Sequence, residues 1–194
     1  MKRKDSKKMD SLIAKVLVSE QEIDEIGWRI AAKIDEDFKG REKGRLVLLC
    51  ILKGSVVFLG DLMRKLKTPH EIEFMKVSSY GSGTKSTGEL KIHLDIMRPD
   101  IGDCDIVVVE DIIDSGRTLS YLVEYLKQRG ARNVRTCTFL DKPSRREVDF
   151  NADYVGREIP DEFVVGYGLD YDEKYRMLPY VGVLAPEAYT DSAR

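Results

Sequence analysis

Three carboxylates and a hydroxyl-rich turn follow one short apolar run of the chain. The run is Ile106–Val109, and the carboxylates belong to Glu110, Asp111 and Asp114. Like charges this close together repel one another unless a cation or a polyhydroxylated ligand lies among them. The next segment, Ser115–Thr118, offers hydroxyls, a glycine and the free amides of a helix start, which suit a phosphate group. The combination indicates a sugar-phosphate site.

An ordinary helix start is the structural explanation of the same residues, because Asp and Ser are common N-caps. For Asp114 and Ser115 alone the two explanations are equally good. The whole run from 110 to 118, directly after a strand-like apolar segment, favours a binding site. The sequence holds no G-x-x-x-x-G-K-[ST] motif, which argues against a P-loop ATPase with Asp111 as its metal ligand.

A βαβ unit is predicted to position these residues. Ile106–Val109 predicts a buried strand, an apolar stripe from Leu119 to Leu126 predicts a helix that ends at Gly130, and Val134–Leu140 predicts a second strand. Such a unit has parallel strands. In an open parallel sheet, ligands bind beyond the carboxyl ends of the strands, which is where the acidic run begins.

Apolar patterns elsewhere predict further helices and strands around this unit. A polar stretch of eleven residues, Ser78–Gly88, joins two of the strands, and such a long polar loop is typically functional or disordered. The strand after it alternates between apolar and polar residues, which is typical of a half-exposed antiparallel strand. The predicted elements are helix 20–38 after a capping box at Ser19–Glu22, strand Arg45–Leu52, helix Val56–Leu66, strand 71–77 and strand Glu89–Ile96.

Composition limits the class of protein. A chain of 194 residues has the size of one domain, and we divide it into a basic tail, 1–14, and a single domain, 15–194. The 32 Lys and Arg residues against 34 Asp and Glu residues give a net charge of −2, which argues against nucleic acid or a membrane as partner.

Cys50 and Cys137 lie in apolar runs, which predicts reduced, buried thiols. Without a signal peptide or a membrane-spanning run, a cytoplasmic protein is expected.

The acidic run is similar to a known family motif. Val109–Thr118 resembles the phosphoribosyl-diphosphate motif of the type I phosphoribosyltransferases. Further motifs narrow the resemblance to the hypoxanthine-guanine phosphoribosyltransferases of the compact bacterial type, over roughly residues 15–186. These motifs are Leu52-Lys53-Gly54, Ser79-Tyr80, Asp141–Arg146, Ile159–Tyr171 and Tyr175-Arg176.

The resemblance implies both a fold and a reaction. The fold is the type I phosphoribosyltransferase fold, an α/β fold with a central, mainly parallel sheet of about five strands flanked by helices. A small hood from the N- and C-terminal segments and a mobile hairpin loop complete it. The reaction transfers a 5-phosphoribosyl group from phosphoribosyl diphosphate to N9 of hypoxanthine or guanine, which gives IMP or GMP and diphosphate. The resemblance also implies Mg²⁺ as cofactor and a homodimer or homotetramer.

The resemblance implies a role for each matching residue. Asp114 matches the residue that takes or shares the N7 proton of the purine. Glu110 and Asp111 match the pair that holds the ribose hydroxyls, directly or through magnesium, and Asp170 matches a further magnesium ligand. The remaining matches are Lys53, Gly54 and Arg176 for the diphosphate, Ser115, Gly116, Arg117 and Thr118 for the 5′-phosphate, Lys142, Phe163 and Val164 for the purine, and Ser79 and Tyr80 for the mobile loop.

One position departs from the family pattern. Vertebrate-type members carry a base-reading lysine where this chain has Asn151, so Lys142 is our candidate donor to the purine O6. The Lys53-Gly54 segment matches the family's diphosphate loop, in which a cis peptide turns a backbone amide toward the leaving group.

Two alternative functions are compatible with the same fold. A regulatory protein that senses phosphoribosyl diphosphate would have lost part of the catalytic set or gained a nucleic-acid surface. This chain keeps Lys53, Asp114 and Arg176 and has no basic helix, which favours the enzyme. A pyrimidine phosphoribosyltransferase is disfavoured by the purine-type segment Phe163–Tyr167.

Overall fold

The computed structural model describes residues 12–40, 44–79 and 90–190 of the chain. Over these residues it has two β-sheets and four α-helices, with short 3₁₀ turns at Ile101–Asp103 and Pro143–Arg145. In chain order the elements are β1 (Ile13–Val18), α1 (Glu20–Asp37), β2 (Arg45–Ile51), α2 (Val56–Lys65), β3 (His70–Ser79), β4 (Leu90–Leu94), β5 (Cys104–Ile113), α3 (Arg117–Gln128), β6 (Asn133–Asp141), β7 (Tyr154–Glu158), β8 (Val164–Val165), β9 (Val181–Leu184) and α4 (Glu187–Thr190).

The larger sheet has six strands in the order β4-β3-β2-β5-β6-β7. Neighbouring strands run parallel except β3 and β4, which pair antiparallel. Helices cover both faces of this sheet. The expected mainly parallel sheet with flanking helices is therefore confirmed, with six strands where about five were expected and with β4 as its antiparallel edge strand.

Two central strands explain the long apolar runs of the sequence. β2 and β5 are buried on both faces over most of their length, so they show no polar alternation. On one face, Leu48 and Val107 pack with the apolar stripes of α1 and α2. On the other face, Leu49 and Val108 pack with Leu119 and its neighbours on α3. Because a slip of one residue would exchange the two faces, this packing fixes the register of the strand that carries the acidic run.

The first helix begins where the sequence predicts. The Ser19 hydroxyl accepts a hydrogen bond from the Glu22 amide at 3.3 Å, and the Glu22 carboxylate accepts one from the Ser19 amide at 2.8 Å. This capping box satisfies two amides that would otherwise lack partners. α1 ends at Asp37, close to the predicted end at 38.

The end of β5 differs from the prediction. The sequence suggested that the strand stops at Val109 and that Glu110 and Asp111 follow it. The strand instead continues to Ile113, because its backbone keeps pairing with β6 as far as Asp141. The two acids are therefore held by sheet hydrogen bonds rather than by a loop.

A second, three-stranded sheet forms the hood. Its order is β1-β9-β8, and both pairs are antiparallel. β1 comes from the N-terminal segment, and β8 and β9 come from the C-terminal segment, so the expected composition of the hood is confirmed. β1 was not predicted, and it begins at Ile13, inside the segment 1–14 that we assigned to a basic tail. Residues 1–11 lie outside the described residues.

The predicted antiparallel pair of strands is also present. β3 and β4 pair from Lys76 with Leu94 to Ser79 with Leu90. Ser79 is the last residue of β3, whereas Tyr80 and the rest of the connection to Leu90 lie outside the described residues. The role of this loop stays a prediction.

Cys50 and Cys137 are free, buried thiols, as expected, and so is Cys104, for which the sequence made no prediction. Burial raises the pKa of each thiol, so all three remain neutral near pH 7. Among the described helices, none is long and apolar enough to cross a membrane.

Candidate active site

Three segments of the chain meet at the carboxyl edge of the larger sheet. β5 brings Glu110 and Asp111, and the turn after it brings Asp114. The turn after β2 brings Lys53, and the turn after β6 brings Lys142. Because β2, β5 and β6 run parallel, their carboxyl ends lie at the same edge, where ligands bind in such sheets.

Glu110 and Asp111 form the acidic centre of this edge. Glu110 Oε2 is buried and has no hydrogen-bond partner among the described residues. Burial and the neighbouring Asp111 carboxylate raise the pKa of Glu110 well above its ordinary value. Burial raises the pKa of Asp111 to about 6, against the opposing effect of the Ile112 amide, which donates to Asp111 Oδ1 at 2.8 Å. Two desolvated acids side by side favour a cation or a hydroxyl donor as ligand.

Two glycines allow the turns after β2 and β8 to approach Asp111 closely. A Cβ atom on Gly54 would lie 1.5 Å from Asp111 Oδ2, so a larger residue would force this carboxylate to move. A Cβ atom on Gly168 would lie 2.1 Å from the Gly54 carbonyl oxygen, and Gly168 has a φ of +98°. The Leu52–Lys53 peptide bond beside this contact is cis. Gly54 and Gly168 are therefore the points at which the turns after β2 and β8 meet the end of β5.

Asp170 and Arg176 form an ion pair beside this contact. Arg176 Nη2 lies 2.8 Å from Asp170 Oδ1, and Arg176 Nη1 donates to the Gly168 carbonyl at 2.7 Å. Both charges act on Asp111, because Arg176 lowers the pKa of Asp111 and Asp170 raises it. The predicted magnesium ligand and the predicted diphosphate ligand thus lie next to the acidic centre.

The turn from Asp114 into α3 encloses a small cavity of about 120 Å³. Gly116 is the N-cap of α3 and has a φ of +80°. Ser115 Oγ accepts a hydrogen bond from the Arg117 amide at 3.3 Å, whereas the Arg117 guanidinium binds Glu147 and does not line the cavity. Small residues and amides at a helix start suit a phosphate group. The cavity is lined by Glu110, Ile112, Ile113, Asp114, Ser115, Gly116, Thr118 and Leu119.

Arg146 ties this turn to the segment that follows β6. Its guanidinium donates to the Asp114 carbonyl at 2.6 Å and to the buried carboxylate of Asp141. The Glu147 amide donates to the Ser115 carbonyl at 3.0 Å. We call these contacts of Arg146 and Glu147 the Arg146 clamp. It connects the turn 114–118, which we call the phosphate-type turn, with the segment that carries Lys142.

A second cavity, of about 160 Å³, also borders Asp114. Lys142 lies in its wall and is nearly buried. Phe163 keeps 42% of its surface exposed, and its ring meets Tyr171 edge to face with centroids 5.6 Å apart. A half-exposed aromatic ring in a mainly apolar wall suits a flat heterocycle. The cavity is lined by Ile112, Asp114, Lys142, Arg145, Phe163, Val164 and Leu169.

Asp114 belongs to both cavities. Its Oδ1 atom is buried and has no hydrogen-bond partner among the described residues, and the Lys142 ammonium lies 3.7 Å away. Its Oδ2 atom lies 3.9 Å from Arg145 Nη1. A carboxylate oxygen with unused acceptor capacity, placed between a flat cavity and a phosphate-type turn, is suited to accept a proton from a ligand.

The described site residues predicted from the sequence gather at this edge, apart from Ser79, which is the last residue of β3. Arg117 contributes to the phosphate-type turn through its backbone, and Tyr80 lies outside the described residues. Asn151 is exposed and lines neither cavity, which keeps Lys142 as the candidate for the base. Two larger cavities of about 650 and 660 Å³ adjoin α1 and α2, and of the predicted site residues only Arg176 lines one of them.

Sequence reasoning missed Glu173 and gave no role to Arg145 or Arg146. Glu173 Oε1 accepts from Lys53 Nζ at 2.7 Å, and its Oε2 lies 3.2 Å from Arg176 Nη2. An exposed acid in a charged turn carries no signal of such a contact. Arg145 and Arg146 fall within a motif that resembles the family, and only the three-dimensional contacts separate their roles.

Magnesium fits the acidic edge, provided that a ligand completes its coordination. Within the described residues, no group of three His, Cys, Asp or Glu side chains is placed to hold a metal ion. Mg²⁺ commonly binds one or two carboxylates and takes its other oxygens from water and substrate phosphates. The unpartnered oxygen of Glu110 and the desolvated carboxylate of Asp111 are donors of this kind.

The fold and the two cavities define a phosphoribosyltransferase-type α/β protein. Residues 16–172 match the family described as "Phosphoribosyl transferase domain", and the chain belongs to this family.

Two of the similar proteins are named for one branch of it. The hypoxanthine-guanine phosphoribosyltransferase of Lactococcus lactis is 51% identical over 183 residues, which cover 94% of this chain and 97% of that protein. A crystal structure of a hypoxanthine phosphoribosyltransferase from Staphylococcus aureus has 45% identity and a TM-score of 0.87, and the match covers 93% of this chain and 96% of that one. The bifunctional protein TilS/HprT of Listeria monocytogenes is 48% identical over 183 residues, and this chain spans 28% of its length. The branch is therefore that of the hypoxanthine-guanine phosphoribosyltransferases.

Replacing the Asp111 carboxylate is expected to stabilise the fold in a pH-dependent way. The pKa of Asp111 is raised in the folded state, so the folded protein holds the Asp111 proton to higher pH than the unfolded chain does. The free energy of unfolding therefore falls as pH rises from about 4 to about 6. Asp111→Asn keeps the acceptor for the Ile112 amide and removes this cost. We expect a gain of about 2–3 kcal/mol at pH 7.5 that disappears below about pH 4, measured by urea unfolding.

Glu36→Gln is the control for this prediction, because Glu36 is exposed on α1. It is expected to change the unfolding free energy by no more than about 0.5 kcal/mol at either pH. An Asp111→Asn variant that is less stable than the parent at pH 7.5 would contradict the assigned desolvation.

Proposed function

We propose that the chain is a purine salvage transferase that moves the 5-phosphoribosyl group of phosphoribosyl diphosphate to N9 of hypoxanthine or guanine. The products are IMP or GMP and diphosphate. The observation that carries the proposal is the position of Asp114, which borders both a phosphate-type turn and a flat cavity and whose Oδ1 atom has no hydrogen-bond partner among the described residues. A sensor of phosphoribosyl diphosphate needs only the first cavity. It has no use for the second cavity, which we call the base-type cavity and which shares Asp114 with the first.

The second cavity supports binding of a 6-oxopurine. The half-exposed ring of Phe163 offers a surface on which a base can stack. The Lys142 ammonium, in the same wall, can donate to the 6-oxo group, and the backbone of Val164 can meet the exocyclic edge of the ring. The nearly buried position of Lys142 strengthens such a bond because water competes less for it.

Asp114 acts on the proton of the base. As the N9 lone pair forms the bond to C1′ of the ribose, the bond from C1′ to the diphosphate oxygen breaks, and the N7 proton passes to Asp114 Oδ1. The same carboxylate stabilises the positive charge that develops on the ribosyl carbon. Ser115, Gly116, Arg117 and Thr118 hold the 5′-phosphate, while Glu110 and Asp111 hold the ribose hydroxyls.

Lys53, Gly54 and Arg176 bind the diphosphate group. Two cations beside the acidic centre, at a glycine that allows close backbone approach, support this assignment. Glu110, Asp111 and Asp170 would hold Mg²⁺ together with the donor. The metal ion supplies charge neutralisation for the diphosphate leaving group.

The remaining assignments concern the loop, the assembly and the location of the protein. Ser79 and Tyr80 begin a loop that we propose closes over the reacting centre and excludes water. We also propose that the protein is a homodimer or homotetramer and that it is cytoplasmic.

The direct test is a rate assay with phosphoribosyl diphosphate, Mg²⁺ and each of hypoxanthine, guanine and xanthine. We expect formation of nucleoside monophosphate with hypoxanthine and guanine, loss of activity in excess EDTA, and recovery when Mg²⁺ is added. Full activity in EDTA would remove the metal from the proposal, and no turnover of any base would support the sensor instead.

Asp114→Asn should separate catalysis from binding. The substitution keeps the size of the side chain but removes the base and its charge, so kcat should fall by about 10²–10⁴-fold. The affinity for phosphoribosyl diphosphate should change little, because the phosphate-type turn and Lys53 are intact. Asp149→Asn, at an exposed carboxylate that lines neither cavity, is the matched control. A kcat within a few-fold of the parent would reduce Asp114 to a helix cap.

Lys142→Ala should affect the base selectively. Loss of a charged donor to the ligand should raise the KM for hypoxanthine and guanine by about 10- to 100-fold and leave the KM for phosphoribosyl diphosphate nearly unchanged. Asn151→Ala is the control, since Asn151 is exposed and outside the cavity. If the control raises the base KM and Lys142→Ala does not, the base-reading role belongs to Asn151.

A further inference from the structure

The Glu173 carboxylate contacts both Lys53 and Arg176, the two cations that we propose bind the diphosphate group. Its carboxylate accepts from Lys53 Nζ at 2.7 Å through Oε1 and lies 3.2 Å from Arg176 Nη2 through Oε2. The attraction is strong enough to lower the pKa of Glu173, first through the hydrogen bond from Lys53 and then through that from Arg176. One carboxylate therefore engages both groups that the proposed reaction needs for a phosphate.

The two cations depend on Glu173 to different degrees. Arg176 also binds Asp170 Oδ1 at 2.8 Å and the Gly168 carbonyl at 2.7 Å, so it keeps its position without Glu173. Within the described residues, Glu173 is the single carboxylate within ion-pair distance of the Lys53 ammonium. Loss of the Glu173 charge would leave Arg176 in place and release Lys53.

The backbone holds Glu173 in this position. Asp172 and Glu173 have φ values of +53° and +58°, which residues other than glycine adopt rarely. The turn is closed by hydrogen bonds between Tyr171 and Lys174, and the Glu173 amide donates to Asp170 Oδ2 at 2.9 Å. An unfavourable conformation persists only where its surroundings support it, so the position of Glu173 is imposed by the fold.

We propose that Glu173 is a positioning residue that competes with the diphosphate group for Lys53 and Arg176. The proposal rests on the proposed function, which assigns these two cations to the diphosphate. The diphosphate group and the Glu173 carboxylate are both anions, and like charges that share the same two cations repel each other, so the donor weakens the Glu173 contacts when it binds. When diphosphate is the product, Glu173 returns to the cations and promotes its release.

The test compares the parent chain with Glu173→Gln and with Asp172→Asn. Both variants lose one negative charge in the same turn, but Asp172 binds Lys174 at 2.7 Å and contacts neither Lys53 nor Arg176. Isothermal titration with diphosphate and Mg²⁺ measures affinity without turnover. Steady-state kinetics then measure the KM for phosphoribosyl diphosphate and for hypoxanthine, and thermal unfolding checks that each variant is folded.

We expect Glu173→Gln to bind diphosphate about three- to tenfold more tightly than the parent, because exposed ion pairs are individually weak. Its KM for phosphoribosyl diphosphate should fall in parallel, while its KM for hypoxanthine should not change. Asp172→Asn should match the parent in both measurements. A folded Glu173→Gln variant with unchanged or weaker diphosphate binding, or an equal gain in Asp172→Asn, overturns the competition. A parent chain that does not bind diphosphate overturns the proposed function as well, which distinguishes the two failures.

Discussion

Desolvated negative charge at the end of β5 is the constraint around which the site is arranged. Sheet pairing with β6 carries Glu110 and Asp111 into a position where water cannot solvate them fully, and burial raises the pKa of both. No cation of the chain hydrogen-bonds the buried oxygen of Glu110 within the described residues. Lys53 and Arg176 engage other carboxylates close by. Burying these carboxyl groups without a cation beside them lowers the stability of the folded protein. A cationic or polyhydroxylated ligand would offset this loss.

The Arg146 clamp makes recognition of the base and of the phosphate interdependent. The same guanidinium binds the Asp114 carbonyl and the Asp141 carboxylate, and Lys142 follows Asp141 directly. A shift of the segment after β6 would consequently move the phosphate-type turn as well. Because Asp114 borders both cavities, this coupling acts on the residue whose position matters most for proton transfer.

The sequence predicted those parts of the molecule that have a strong local signal. β2 and β5 are continuous apolar runs, and the capping box marks the start of α1. β1 was not predicted because its partner strand, β9, lies far along the chain and because its Val16 side chain is half-exposed. The end of β5 looked like a loop because charged residues are uncommon in strands, and only pairing with β6 reveals it. Glu173 was missed because its contacts depend on a left-handed turn that residue type alone does not indicate.

The hood sheet joins the two ends of the described chain above the base-type cavity. β9 is its central strand, with β1 on one side and β8, which carries Val164, on the other. None of these strands pairs with the six-stranded sheet. The part of the wall that β8 contributes can therefore change its side chains without altering the strand pairing of the donor-binding edge, whereas the part formed by Asp114 and Lys142 cannot. New base preferences are expected to arise on the hood side of the cavity.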